Sequence, residues 1–372
     1  MTGRSSRFAP IDHAGRVSVL RDRLSLGKEC DALLLLDLVD VRWLTGFTGS
    51  NGWAVLSADA LILGTDGRYR DRAIDETASS GAAVIAETDR ARLHERLIDS
   101  MSAANRVALD PATTVHSRWR SIASEVQLEP TESLVAQLRQ IKDDAELERI
   151  NAAACAADAA LAEVEPMLRA TIDVPVTEAD VRDELEYRMR RHGADDRSYD
   201  TIVASGPEHA ARPHHEVSRR TIVEGDTVVI DVGALVDGYH SDMTRSYVIG
   251  EPSTEQREIY ALIDAAQRAG VDAVGPGVPA QVVDAACRDL FVDAGYGDWY
   301  VHGTGHGVGL VIHEYPYATR VSEEVLAVDN VVTVEPGLYR GGFGGMRIED
   351  LVHVTAVGPR VLTHHPKQPF DG

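Results

Sequence analysis

Asp231, Asp242, His306, Glu335 and Glu349 are the side chains of this 372-residue sequence whose types and spacing could do chemistry together. Four carboxylates and one imidazole carry four negative charges, which two divalent cations would balance. Oxygen-rich ligation with a single nitrogen suits manganese, with cobalt, zinc or iron as substitutes. Two metals held roughly 3.5 to 4 Å apart can keep a bridging hydroxide as nucleophile and polarise a carbonyl, so hydrolysis is the natural reaction. Each residue alone has an ordinary reading: Asp231 as a strand-end cap, Asp242 on the surface, His306 in a loop, and Glu349 in a solvated pair with Asp350. A carboxylate dyad sharing one proton would employ two of the acids and leave the other two idle.

The elements that must position these groups are two hairpins. TVVIDVGALVDGYHSDMTRSY, residues 227–247, runs from an apolar strand through the turn signal Asp237-Gly238 into a second β-prone run. If Asp237-Gly238 are the turn residues, Asp231 and Asp242 lie one diagonal step apart; if the turn sits one residue earlier, they face each other directly. Both cases put them on one face with Cβ atoms roughly 5 to 8 Å apart. VVTVEPGLYRGGFGGMRIEDLVHV, residues 331–354, repeats the logic, and a turn centred within Gly341 to Gly345 sets Glu335 and Glu349 on a shared face. Acids paired inside apolar strands ask for a cation, because buried carboxylates are rare unless compensated.

The motifs carrying these residues, VVIDVG, GYHSDMTRSY, HGTGHGVGLVIHE, VEPGLY and GMRIED, occur in this order. They resemble the five metal-ligand motifs of the pita-bread-fold metallopeptidases, the group of aminopeptidase P, prolidase and methionine aminopeptidase. TGFTGSNG and TDGRY are similar to the N-terminal domain of the proline-specific members. The resemblance implies an α+β pita-bread catalytic domain over 136–372, preceded by a smaller, creatinase-like α/β domain over 1–135. It implies that Asp231 chelates one metal, that Asp242 and Glu349 bridge both, and that His306 and Glu335 complete the second. Accessory roles fall by the same resemblance on His214, His302, His313 and Arg347, with Glu335 counted among the catalytic residues as well as the ligands. His214 is preferred by its place after Pro213, with His215 as the alternative.

An Xaa-Pro bond lacks an N–H and has a fixed φ, which leaves room for a specialist peptidase. The activity implied is hydrolysis of Xaa-Pro bonds in dipeptides or short peptides, leaning to a dipeptidase, with aminopeptidase P as the alternative. A dipeptidase needs a cation for the free carboxylate after proline, and Arg347, His302, Arg42 and Arg68 are the candidates. A homodimer is implied too, with TGFTGSNG near the neighbour's active site. The rivals are a non-enzymatic binding protein and a creatinase-type amidinohydrolase on the same fold; either should have lost ligands, and all five positions keep ligating side chains.

Composition narrows the partners. With 37 basic against 59 acidic residues the net charge is −22, which argues against phosphate backbones and anionic membranes. The N-terminus MTGRSSRFAPIDHAGRVSVL lacks the apolar core of a signal peptide, and the longest aliphatic run, Ala32 to Leu36, is stopped by Asp37, so a cytosolic location is expected. Cys30, Cys155 and Cys287 are scattered without a C-x-x-C, which points to buried hydrophobes in a reducing compartment.

Along the chain, the spacing predicts a helix over Val17 to Glu29 and a buried strand over Asp31 to Leu36, opening an alternating α/β domain that ends near residue 135. A boundary at the charged start QIKDDAELERI, a capped helix from Thr177 to His192, and cover helices over Thr254 to Ala269 and Ala280 to Ala294 complete the reading. Gly270 and Gly295 are taken as the stops of the last two. His192, His209, His240, His353, His364 and His365 have no pattern of their own and read as surface or core histidines.

Overall fold

The computed structural model describes residues 7–27, 30–367 and 370. They divide into two compact units, one of residues 10–139 and one of residues 7–9 with residues 140 onward.

In the N-terminal unit the order is α1 (His13–Arg23), β1 (Ala32–Leu35), α2 (Leu38–Thr45), β2 (Gly52–Ser57), β3 (Leu61–Asp66), α3 (Arg70–Glu76), β4 (Ala83–Glu87), α4 (Arg90–Asp99), β5 (Val107–Leu109), α5 (His116–Ala123), β6 (Leu128–Pro130) and α6 (Leu134–Arg139). The sheet runs β4-β3-β2-β1-β5-β6. Its centre, β1 to β3, is an antiparallel meander, and its flanks are parallel. Leu34, Trp53, Val55, Leu97, Leu109 and Ile122 pack together as the core. The first helix departs from the expected span: capped by Asp12, α1 starts at His13, four residues earlier than Val17, and positive φ at Ser25 and Gly27 (45° and 86°) follows its end at Arg23. Glu29 lies outside the described residues. TGFTGSNG is a well-tied turn, in which Gly46 (φ 83°) ends α2, Phe47 is buried edge-on against Tyr69, and the Thr48 hydroxyl donates to Glu76 at 2.6 Å.

The second unit contains α7 (Asp144–Arg169), α8 (Glu178–Arg191), β7 (Asp196–Arg197), β8 (Ile202–Ser205), the short α9 (Gly206–His209), β9 (Thr227–Asp231), β10 (Ala234–Val236), β11 (Tyr239–His240) and β12 (Thr244–Val248). There follow α10 (Thr254–Ala273), α11 (Ala280–Asp293), β13 (Gly305–Gly307), β14 (Glu314–Ala318), β15 (Val331–Val334), β16 (Gly337–Arg340), β17 (Gly344–Arg347), β18 (Asp350–Thr355) and β19 (Gly358–Val361). Capping boxes open α7 (Asp143 with Glu146), α8 (Thr177 with Asp180) and α10 (Ser253 with Gln256).

Both expected hairpins form, and each breaks its ladder where its acids sit. In the first, β9 pairs with β12 and β10 with β11, closed by Asp237 and Gly238 at φ 46° and 75°. Asp231 therefore stands opposite Thr244, and Asp242 is one diagonal step away. In the second, β15 pairs with β18 and β16 with β17 in one continuous register, so Glu335 and Glu349 occupy the gap directly opposite each other. The alanine-rich α7 buries Ala153, Ala157, Ala160 and Leu161 in one core with Val228, Ile230 and Val232 of the first hairpin. α10 and α11 bury Ile259, Ile263, Val283 and Phe291 with Val332, Val334, Val352 and Val354 of the second. Full burial of each Val, Leu, Ile or Phe among these contributes roughly 1.5–3 kcal/mol.

Gly270 is not the stop of α10, which runs on to Ala273. A Cβ at Gly270 would stand 2.5 Å from Cys287 Sγ and 2.7 Å from Val334 Cγ1, so this glycine permits close approach of α11 and β15. Among the described residues, no helix is long and apolar enough to cross a membrane.

Candidate metal centre

The acids of both hairpins meet at one end of the second unit. Asp242, His306 and Glu349, all buried, each bring a ligand atom within 4.8 Å of the others. His306 Nε2 lies 3.6 Å from Asp242 Oδ2 and 3.6 Å from Glu335 Oε1. Asp231 joins through Tyr199, whose hydroxyl hydrogen-bonds both Asp231 Oδ1 and Asp242 Oδ1. The His306 tautomer follows from its neighbour: Nδ1 faces the Gly307 carbonyl at 3.1 Å and must donate to it, which leaves Nε2 with a bare lone pair toward the acids.

Electrostatics argue that this cluster is built around cations. Burial, and then the charge of Asp231, pushes the Asp242 carboxyl well above its ordinary range. Burial followed by repulsion from Asp242, Glu335 and Asp231 does the same to Glu349, and burial raises Glu335. Burial also lowers the His306 imidazole, so the ring is held neutral. The compensation supplied by the chain is modest: Arg347 Nη2 donates to Asp231 Oδ2 at 2.7 Å, and the Thr244 hydroxyl donates to Glu349 Oε2 at 2.7 Å. Four carboxylates with one oriented imidazole nitrogen fit divalent ions, which would remove the repulsion that raises these acids.

A cleft of about 310 Å³ opens onto the cluster, lined by His214, Asp231, His302, His306, Glu335 and Arg347 among others. His214 is exposed and faces this cleft. His302 donates Nδ1–H to the Gly303 carbonyl at 2.7 Å, so its Nε2 accepts from the Tyr339 hydroxyl at 3.1 Å. That hydroxyl in turn accepts from Arg347 Nη1 at 2.7 Å. Arg347 is buried and reaches also Thr244 Oγ1 at 2.9 Å and the Pro213 carbonyl at 3.1 Å. His313 is exposed, its ring edge-on to His306 with centroids 4.4 Å apart.

Comparison with known proteins agrees with this geometry. Residues 148–356 match the model of metallopeptidase family M24, and residues 16–141 match the creatinase/prolidase N-terminal domain. An uncharacterized peptidase of Bacillus subtilis is 37% identical over 343 residues, covering 91% of this chain and 95% of that protein. This chain belongs to metallopeptidase family M24. Among solved structures, an Xaa-Pro dipeptidase from Bacillus anthracis superposes with a TM-score of 0.88 at 34% identity, covering 96% of this chain and 98% of the other. An X-Pro aminopeptidase from Thermotoga maritima gives a TM-score of 0.87 at 32% identity, covering 95% and 99%. Several other curated relatives align over only about half of their own length.

Three features of this M24 peptidase's site carry no signal in the local sequence. Tyr199 lies in DDRSYD, outside every motif, and Thr244 and Tyr339 sit inside motifs next to the residues that drew attention. The third is a buried hub at Glu178, the first residue of α8. Its Oε1 accepts from Ser205 N, Ser205 Oγ and His209 Nδ1 (2.9, 2.7 and 2.9 Å). Its Oε2 accepts from His215 Nε2, Ser218 N and Ser218 Oγ (3.3, 3.1 and 2.6 Å). Burial alone would raise this carboxyl, but the hydrogen bonds from Ser218, Ser205 and His209 outweigh it and hold the group at about 2. Glu178, His209 and His215 have metal-ligand spacing, yet all lone pairs of the carboxylate are taken and the two rings stack at 4.1 Å, an arrangement that anchors a loop. His215 is thereby turned inward while its neighbour His214 faces the cleft. Of the remaining unassigned histidines, four have side-chain partners, His240 with Ser198, His353 with Asp329, His365 with Glu165 and His192 with Glu163, while His364 is exposed.

Proposed function

We propose that this M24 peptidase hydrolyses Xaa-Pro bonds, chiefly of dipeptides, with two divalent ions held by Asp231, Asp242, His306, Glu335 and Glu349. The observation that carries the reading is likeness, over nearly the whole chain, to an Xaa-Pro dipeptidase at 34% identity. In this reading Asp242 and Glu349 would be shared by both ions, Asp231 would serve one and His306 with Glu335 the other, and manganese would suit the oxygen-rich set. When bound, such a pair supplies a hydroxide nucleophile and polarises the scissile carbonyl.

The chain's own groups do the rest. His214, exposed on the cleft, can donate to the carbonyl oxygen as it gains charge. His313, edge-on to His306, would hold that ligand's ring in place from the solvent side. Glu335, one of the ligands and 3.6 Å from His306 Nε2, would take up the nucleophile's proton as an ionised carboxylate. The line from Arg347 through Tyr339 to His302 fixes two side chains of the cleft, Arg347 and His302, relative to each other.

A division into an N-terminal domain over 1–135 and a catalytic domain over 136–372, a homodimer in the cytoplasm, and TGFTGSNG beside the neighbour's site belong to the same proposal. A monomer with full activity by light scattering at micromolar concentration would contradict the dimer.

One observation favours the alternative of an aminopeptidase P. Arg347, a cation offered for the substrate's carboxylate, spends its donors on Asp231, Thr244, Tyr339 and Pro213, and Arg68 is paired with Asp66 in its own unit. The deciding measurement is kcat/KM on an Xaa-Pro dipeptide, on its Xaa-Ala counterpart, and on the same Xaa-Pro dipeptide extended by two residues. The proposal expects the first to exceed both others. Equal rates on Xaa-Ala would remove the proline specificity, and tenfold preference for the longer peptide, about 1.4 kcal/mol of transition-state binding, would make this an aminopeptidase.

A further inference from the structure

We infer that the N-terminal unit carries a binding site of its own for a small oxyanion that also bears a hydrogen-bond donor. The site is a cavity of about 440 Å³ lined by Trp53, Arg90, His94, Thr114 and Arg118 among others. Three of these residues bring a buried polar atom without a hydrogen-bond partner: Trp53 Nε1, Thr114 Oγ1 and His94 Nδ1. Trp53 itself is only 3% exposed, so its indole N–H lost its water on folding and gained nothing within the chain. Such groups are rare in a folded protein unless something outside the chain satisfies them.

Charge points to the kind of ligand. The chain has 59 acidic residues against 37 basic ones, yet no Asp or Glu lines this cavity, while two arginines do. Among the described residues neither Arg90 nor Arg118 has an ion-pair partner. Arg118 is half-buried, and that burial, with no carboxylate to offset it, lowers its pKa. α5 begins here without a side-chain cap, its N-cap being Val115, so the first amides of an eight-residue helix add to the donors that an anion would satisfy. His94 supplies the complementary feature. Its Nε2 faces Glu125 Oε1 at 3.0 Å and donates to it, and the tautomer that this bond selects carries its lone pair on the unpartnered Nδ1. A carboxylate with a neighbouring ammonium, as in an amino acid, and a hydrogen phosphate both present an oxyanion together with a donor.

The topology agrees. β1 pairs with β2 on one side and with the parallel β5 on the other, and the chain leaves β1 toward β2 but returns later to build β5. Leu36, just past the end of β1, and Thr114, in the loop after β5, both line the cavity. It therefore lies at the carboxyl edge of the sheet where the strand order reverses, the crevice in which open α/β sheets bind ligands.

The test is isothermal titration of the full-length, metal-loaded protein with inorganic phosphate and, separately, with L-alanine, in wild type, Arg118→Gln and Arg90→Gln. The expected result is binding of at least one ligand that weakens tenfold or more in Arg118→Gln, while kcat/KM for peptide hydrolysis stays unchanged. Arg90→Gln, a change at an exposed residue, should weaken the same component severalfold. Arg118-dependent heat with phosphate alone identifies a phosphate or phosphoester ligand, and with L-alanine alone an amino acid. Titrations that are silent, or identical in wild type and both variants, overturn the site; phosphate heat that survives both substitutions belongs to the metal centre.

Discussion

The two hairpins of the catalytic unit solve one problem in two ways. In the first, Asp231 and Asp242 are a diagonal step apart, and the space between them is spanned by the Tyr199 hydroxyl. In the second, Glu335 and Glu349 face each other directly in a gap between two ladders of the same register. Each hairpin also supplies the other's polar partner: Arg347 of the second donates to Asp231 of the first, and Thr244 of the first donates to Glu349 of the second. Strand parity is enough to place each acid pair on a face, but the cross-partners exist only because the strands lie side by side, where Glu349 N donates to Thr244 O at 3.1 Å.

The largest expected effect removes one acid from each hairpin. Asp242→Ala and Glu349→Ala should each lower kcat/KM at least about a thousandfold and abolish metal loading, with cooperative unfolding retained. Near-full activity in a metal-poor Glu349→Ala sample would break the two-hairpin site outright. Chelator dialysis of the wild type should give the same loss, restored by manganese.

Next come the cross-partners. Arg347→Met leaves Asp231 without its cation inside a buried network and should cost roughly 3–5 kcal/mol in urea unfolding. Thr244→Val removes a single hydroxyl and should cost about 1–3 kcal/mol, with metal affinity lowered 10- to 100-fold. If the two variants are equally mild, the hairpins support each other less than their hydrogen bonds imply.

The loop beside the first hairpin sharpens the comparison further. His214→Ala should lower kcat about a hundredfold, load metal normally and change stability by no more than about 0.5 kcal/mol. His215→Ala should cost about 1–2 kcal/mol of stability, since it strips a donor from buried Glu178, with the smaller effect on kcat. The reverse pattern would exchange the two roles.

The last effect is one of pH. Glu178 is held at about 2 against an ordinary 4.5, so its contribution to stability is fully present above pH 4.5 and is lost as pH falls from there toward 2. Glu178→Gln should therefore flatten the acid side of the stability curve between pH 4.5 and 2 while lowering the plateau above it. An unchanged acid limb, followed by circular dichroism, would show that the hub is not ionised in the folded chain.

Local rules made much of this molecule legible in its sequence. Period-two patterning and the Asp-Gly turn were sufficient for the first hairpin, because side chains alternate faces and a two-residue turn with positive φ sets the register. The capping pattern at Thr177 marked the start of α8, since a cap acts on amides within three residues of itself. Where a long-range contact competed with a local signal, the sequence misled: Gly270 has the form of a helix stop, yet α10 runs through it because Cys287 and Val334 need the missing Cβ's space. Nothing near Tyr199 in the chain hints that its hydroxyl spans two aspartates, because that juxtaposition is made by the approach of separate strands. The choice between His214 and His215 was open for the same reason. Adjacent residues have the same local context, and only the carboxylate of Glu178, brought up from the start of α8, turns one ring inward and leaves the other to the cleft.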